Sequence, residues 1–193
     1  MRIAVWTAAI LFACVTGCRQ TPDLELQSIS GVMPDLQFHL TDAAGQAVNA
    51  KDYRHDVVLL YFGYTHCPDV CPTTLAVLSR AIKALGSEAS DVRVLFVTVD
   101  PRRDSATLLK HYMGYFGPQF VGLRGDSRQL LAVTQRYHAA FELAAPDRQG
   151  NYSVQHSSAV YIFDTKGRAR LVTDATDQPG LIAHDLRALL TGA

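Results

Sequence analysis

Val57-Val58-Leu59-Leu60-Tyr61-Phe62-Gly63-Tyr64-Thr65-His66-Cys67-Pro68-Asp69-Val70-Cys71-Pro72 is the stretch whose reading decides the fold. It opens on an unbroken apolar run, short and β-branched at its start, which predicts a central strand buried on both faces. Gly63 ends the run. From Pro72 the period changes. Leu75, Leu78, Ile82 and Leu85 recur at three and four residues, the spacing of one helical face, and Gly86 closes the helix. A buried strand thus delivers two cysteines to the start of a helix.

The pattern continues on both sides. Upstream, Leu36, Phe38 and Leu40 alternate with polar residues, Asp42 to Gly45 read as a turn, and Gln46 to Val48 as a return strand. Downstream, Val92 to Val99 is a second buried strand, ended by Asp100-Pro101, and Ser105 caps a helix through about Tyr115. Val121 to Leu123 is a short strand, and Asp126 or Ser127 caps a helix through about His138. Ser158 to Phe163 and Ala169 to Thr173 form a hairpin around Asp164–Gly167, and Pro179 opens a last helix through Leu190. The order βαβαβαββα behind an N-terminal hairpin predicts an α/β layered domain over 34–193. The closing hairpin and helix are those of a thioredoxin-like fold with an N-terminal β-hairpin extension.

With 193 residues, nearly half of them hydrophobic, the chain can bury a large core without staples. Its 18 basic and 18 acidic residues cancel, so no basic footprint for nucleic acid is present. The first residues stand apart. Arg2 precedes an apolar run from Ile3 to Cys14 that ends in Val15-Thr16-Gly17-Cys18. The run is short for a membrane span, which needs about 20 residues, and suits a signal peptide over 1–17. The small residues before Cys18 resemble a bacterial lipoprotein box, with Cys18 the lipidated residue; an uncleaved short anchor is the alternative. Either exports the domain. Residues 18–33 are polar, carry Pro22 and read as a tether.

Cysteine arithmetic follows. Cys14 leaves with the signal peptide and Cys18 carries lipid, so Cys67 and Cys71 are the free pair in an oxidising compartment. Spaced i, i+4 at a helix start, their sulfurs can share one metal ion or join each other, and the helix N-terminus favours thiolate. A third ligand must come from seven histidines. His39 and His55 lie by the N-terminal hairpin, and His111, His138 and His184 in surface helices. His66 adjoins Cys67 and is a candidate supporting contact. His156 ends a loop before a strand, where a thioredoxin-like fold faces its first helix, and is the preferred ligand. Two thiolates and an imidazole suit copper, as Cu(I) or Cu(II), and leave a position open. The same set can hold zinc.

The stretches Tyr61–Pro72, Val97–Asp104, Tyr152–Ser157 and Tyr161–Asp164 resemble the Sco/SenC copper-chaperone family, and the resemblance runs from Pro34 to Leu190. It implies a thioredoxin-like fold and copper held by Cys67, Cys71 and His156. It also implies delivery to the CuA-bearing subunit of cytochrome c oxidase, with a copper donor protein and a thiol–disulfide reductant as partners. The setting is a bacterial membrane-anchored protein whose domain lies on the extracytoplasmic (periplasmic) side. Such a protein is a metallochaperone rather than an enzyme. Many members carry Asp before the histidine; here Gln155 stands there, which removes a carboxylate that could tune the site. Asp69 and Asp100 are candidates for supporting the ligands. The competing reading is a thiol–disulfide oxidoreductase or redox sensor cycling Cys67 and Cys71, against which stands the C-x-x-C spacing of dedicated oxidoreductases. A thioredoxin-like peroxidase needs no second cysteine four residues on.

Overall fold

The computed structural model describes residues 23–139, 141–145, 147–149 and 152–192, with residue 156 described in its backbone alone. The proposed signal peptide and Cys18 lie outside them. No helix among the described residues is long and apolar enough to cross a membrane.

The strands are β1 (Gln27–Ser28), β2 (His39–Asp42), β3 (Ala47–Asn49), β4 (Val57–Gly63), β5 (Val92–Thr98), β6 (Phe120–Arg124), β7 (Phe141–Leu143), β8 (Val154–His156), β9 (Val160–Phe163) and β10 (Ala169–Thr173). The helices are α1 (Val70–Ala84), α2 (Ala106–Gly114), α3 (Ser127–Arg136) and α4 (Pro179–Leu190). Eight strands form one sheet in the order β1-β10-β9-β4-β5-β6-β2-β3, and β7 and β8 form a separate hairpin. β4 runs parallel to β5 and antiparallel to β9, and every residue of β4 is buried. This is the thioredoxin-like core, with the β2–β3 hairpin added at one edge.

Alternation along β4 sends its side chains to two cores. Tyr61 meets the Phe96 ring at 5.7 Å and lies beside Cys71 of α1. Its neighbour Phe62 faces Tyr137, after α3, at 6.3 Å. The expected caps are present: the Ser105 side chain accepts the Leu108 N–H, and Asp126 forms a reciprocal capping box with Gln129.

Two expectations are corrected. The tether over 18–33 does not extend through its second half, because Leu26 and Ile29 are buried and β1 pairs with β10. The buried Asp185 carboxylate of α4 accepts the Leu26 N–H at 2.8 Å and the Glu25 N–H at 3.0 Å, fixing the chain there. His156, expected at the end of a loop, lies in β8, paired with Phe141 of β7. Three-residue strands are too short to show a period of two, and the hydrogen bonds that make them are between backbones.

Candidate metal centre

The last residue of β4 is Gly63, where a side chain has no room. A Cβ would lie 2.7 Å from Phe96 Cε2 and 2.9 Å from Cys71 Sγ. The chain then turns through Tyr64–Asp69 into α1. The Cys67 N–H donates to the Tyr64 carbonyl at 3.3 Å, closing the turn. Asp69 is the N-cap residue but makes no side-chain cap bond. The Cys67 sulfur instead accepts the Cys71 N–H at 3.4 Å, so a sulfur sits where a helix presents its unpaired donors.

The two thiols differ. Cys71 is fully buried and Cys67 partly exposed, and both are unbridged. Burial raises the Cys67 pKa, but N–H donors of Cys71, Asp69 and Val70, with the Cys71 side chain, outweigh it and bring the thiol below its ordinary value. Burial, with repulsion from a charged Cys67, pushes Cys71 up to about 12. The thiols lie within hydrogen-bonding reach of each other, so one soft ion could bridge them on losing both protons.

The turn after β5 braces this site from the side. The Asp104 carboxylate, fully buried, accepts the Thr65 hydroxyl at 2.6 Å, the Thr65 N–H at 3.0 Å and the Thr98 hydroxyl at 2.6 Å. His66 Nδ1 lies 3.4 Å from Asp104 and 3.1 Å from the Thr65 hydroxyl. Asp100, also buried, accepts from Arg103 Nε and from the Tyr152 hydroxyl at 2.8 Å. β8, which ends at His156, is tied to the cysteine turn by one hydrogen bond. The Val154 N–H donates to the Tyr64 hydroxyl at 3.4 Å, so the strand carrying His156 is tied to the residue three before Cys67.

Cys67 and Cys71 are thus adjacent, and the His156 backbone lies in a strand bound to their turn; the His156 side chain is outside the described set. Among the described residues no three His, Cys, Asp or Glu side chains converge on a metal position. Of the supporting candidates, Asp100 and His66 belong to the brace. Asp69 offers Cys67 its backbone N–H, while its exposed carboxylate accepts only the Thr73 hydroxyl, at 3.4 Å, in the described contacts. The other histidines lie elsewhere: His39 opens β2, His55 donates its N–H to the Thr165 carbonyl at 3.0 Å, His111 bonds Tyr115 at 2.6 Å and His184 bonds Asp185 at 2.9 Å, while His138 stands beyond the end of α3 rather than within it. Sequence reasoning missed Asp104 and Tyr64. The available signal was Asp100-Pro101-Arg102-Arg103-Asp104, two carboxylates around two cations directly after a buried strand.

A model of the SCO1/SenC family matches residues 30–191. The chain belongs to that family. The SCO2-like protein of Rickettsia felis is 35% identical over 132 residues, covering 68% of this chain and 64% of the relative. The mitochondrial SCO2 homolog of Homo sapiens is 36% identical over 132 residues, covering 67% of this chain and 50% of the relative. The chain therefore spans less than two thirds of the length of these curated relatives. Among solved structures, copper-bound ScoI of Bradyrhizobium japonicum superposes with a TM-score of 0.74 at 35% identity, covering 81% of this chain and 99% of that one. Copper-bound yeast Sco1 gives 0.75 at 27% identity, covering 83% and 90%.

Proposed function

We propose that this SCO1/SenC domain binds one copper ion through Cys67, Cys71 and His156 and passes it to the CuA-bearing subunit of cytochrome c oxidase. The observation that carries this reading is the Tyr64 tie. One residue closes the turn of Cys67 through its carbonyl and holds the His156 strand through its hydroxyl. Paired thiols at a helix N-terminus supply soft, anionic donors. Soft thiolates select Cu(I), and the imidazole extends the set to Cu(II). Zinc fits the same donors; the copper-bound relatives favour copper. Three protein ligands leave a position for an incoming donor group, so release proceeds by ligand exchange with no change in electron count. A copper donor protein loads the site. Lipid on Cys18 holds the domain on the extracytoplasmic side of a bacterial membrane.

The test is copper bound per chain after titration of the reduced domain. Wild type is expected to hold one ion, and Cys67→Ser, Cys71→Ser and His156→Ala each to bind more weakly. Unchanged affinity of His156→Ala for both Cu(I) and Cu(II) would overturn the three-ligand site.

The unlike thiols favour a second reading. The Cys67 thiolate attacks a partner's disulfide, forming a mixed disulfide and expelling one partner thiolate. Cys71 then loses its proton and attacks Cys67 Sγ, releasing the reduced partner and leaving a Cys67–Cys71 disulfide. A thiol–disulfide reductant resets the pair. This chemistry needs both cysteines and not His156. Oxidase assembly in cells carrying His156→Ala separates the two: full assembly favours disulfide exchange, and loss favours copper delivery.

A further inference from the structure

The hairpin that carries His156 is small. β7 and β8 have three residues each, and β7 is mostly exposed. A two-stranded ribbon of this size has little stability of its own. Its position is therefore set by whatever grips it: the Tyr64 hydroxyl holds Val154 within β8, and a denser set of contacts holds Tyr152, two residues before β8.

Three contacts hold that residue. The Arg103 guanidinium lies over the Tyr152 ring, 3.6 Å from its centroid. Arg103 also donates through an Nη to the Tyr152 carbonyl at 2.9 Å. The Tyr152 hydroxyl donates to Asp100 at 2.8 Å, and Asp100 accepts from Arg103 Nε. Arginine alone among the cations combines a flat stacking face with donors in a fixed fork. The same guanidinium lies 5.7 Å from the ring centroid of Tyr64, which touches both the cysteine turn and Val154. The next residue, Asp104, holds Thr65 from below. One five-residue turn therefore braces both ligand-bearing segments: Asp104 the cysteine arm and Arg103 the histidine arm.

We infer that Arg103 is a positioning residue of the copper site: by gripping Tyr152 it sets the reach of His156 toward Cys67 and Cys71. The inference rests on the three-ligand reading proposed above. A ligand on a loosened loop still exists, but its effective concentration at the ion falls. Removing the grip should therefore cost the histidine's contribution and leave that of the thiols.

The experiment uses Arg103→Met, Tyr152→Leu, His156→Ala and the double variant Arg103→Met with His156→Ala, each first compared by thermal melting of the metal-free protein. Cu(II) is then followed by its sulfur charge-transfer band and paramagnetic resonance spectrum, with affinity from chelator competition. Arg103→Met and Tyr152→Leu are expected to bind Cu(II) roughly 10- to 100-fold more weakly, the usual effect of losing a residue that orients a ligand. Their spectra should shift toward that of His156→Ala. The double variant should be no weaker than His156→Ala alone, since both changes remove one contribution. Tyr152→Leu leaves the half-buried Arg103–Asp100 pair in place, so a folding failure of Arg103→Met does not close the test. If His156→Ala weakens binding while both grip variants keep the wild-type spectrum and affinity, the inference fails and the three-ligand site stands. Additive losses in the double variant also overturn it. If His156→Ala itself is unchanged, the three-ligand site falls and takes the inference with it.

Discussion

Gly63 shows how closely the core and the thiol site are joined at the level of single residues. Its missing side chain is the space used by Cys71 Sγ and the Phe96 ring. Neither neighbour is free to retreat, because both are fully buried. Gly63→Ala should therefore overpack the junction and destabilise the domain by about 1–3 kcal/mol. Urea denaturation reads the loss, and copper stoichiometry of the folded variant reads the displacement of Cys71. An unchanged midpoint would mean that the space is not filled as described. The two thiols make a second residue-scale prediction. Cys67 is held below its ordinary pKa by helix-terminal donors and is partly exposed, while Cys71 is raised and buried. In reduced, metal-free protein near pH 8, iodoacetamide should modify Cys67 first. The fast phase should vanish in Cys67→Ser and survive in Cys71→Ser; the reverse pattern would contradict the assignment. That these two cysteines belong together was legible from their number and spacing. Their inequality was not, because it depends on which sulfur lies under Gly63 and which at the mouth of α1.

Elements were legible in proportion to their length and periodicity. β4, β5 and α1 announced themselves by long apolar runs or a sustained helical face, and α2 and α3 by their capping residues. β10 and α4 fell on the expected boundaries. β1 did not, since Gln27 and Ser28 are both exposed and its buried anchors, Leu26 and Ile29, are three apart. Besides its pairing with β10, what fixes the chain at β1 is a carboxylate 159 positions from Leu26, on α4. Asp185→Asn tests that link. The substitution replaces a charged acceptor of the Glu25 and Leu26 N–H groups by an amide that offers one oxygen and brings N–H groups of its own. Losing hydrogen bonds to a charged group costs about 1.5–3 kcal/mol. Limited proteolysis ahead of Leu26 should accelerate in the variant before global unfolding sets in. Equal cleavage rates in both proteins would show that β1 is held by its strand pairing alone. The β7–β8 hairpin was missed for a related reason. Its position comes from Tyr64, Asp100 and Arg103, residues about 50 to 90 positions earlier, and sequence periodicity carries no information about such contacts.

At the scale of the whole molecule, several phenols and one thiol in or against the core must stay protonated. Burial raises the pKa of Tyr53 to about 12 and pushes Tyr61, Tyr112 and Tyr137 up as well, and it raises Cys71 to about 12. A group whose pKa is higher in the folded state leaves stability intact below its unfolded value. It removes stability as pH rises from that value toward the folded one. The reference values are 9.0 for Cys and 10.0 for Tyr, so the loss begins near pH 9 for Cys71 and near pH 10 for the phenols, and continues to about 12 and beyond. Cys67 has the opposite sign. Its lowered pKa adds stability as pH rises toward 9.0, and that gain levels off where the Cys71 loss sets in. The metal-free, reduced domain should therefore show a urea midpoint that holds or rises slightly toward pH 9 and then falls steadily to pH 11. Replacing Cys71 by Ala should remove the earliest part of the fall, between about pH 9 and 10, and leave the tyrosine-driven part. A midpoint that stays level from pH 9 to 11 would show that the phenols are reached by water, and that the face of the sheet carrying Tyr61 and Phe96, against which Tyr112 of α2 packs, is looser than its packing implies. Since Cys71 is buried against that same face, such looseness would also undercut the thiol asymmetry on which its order of reaction depends.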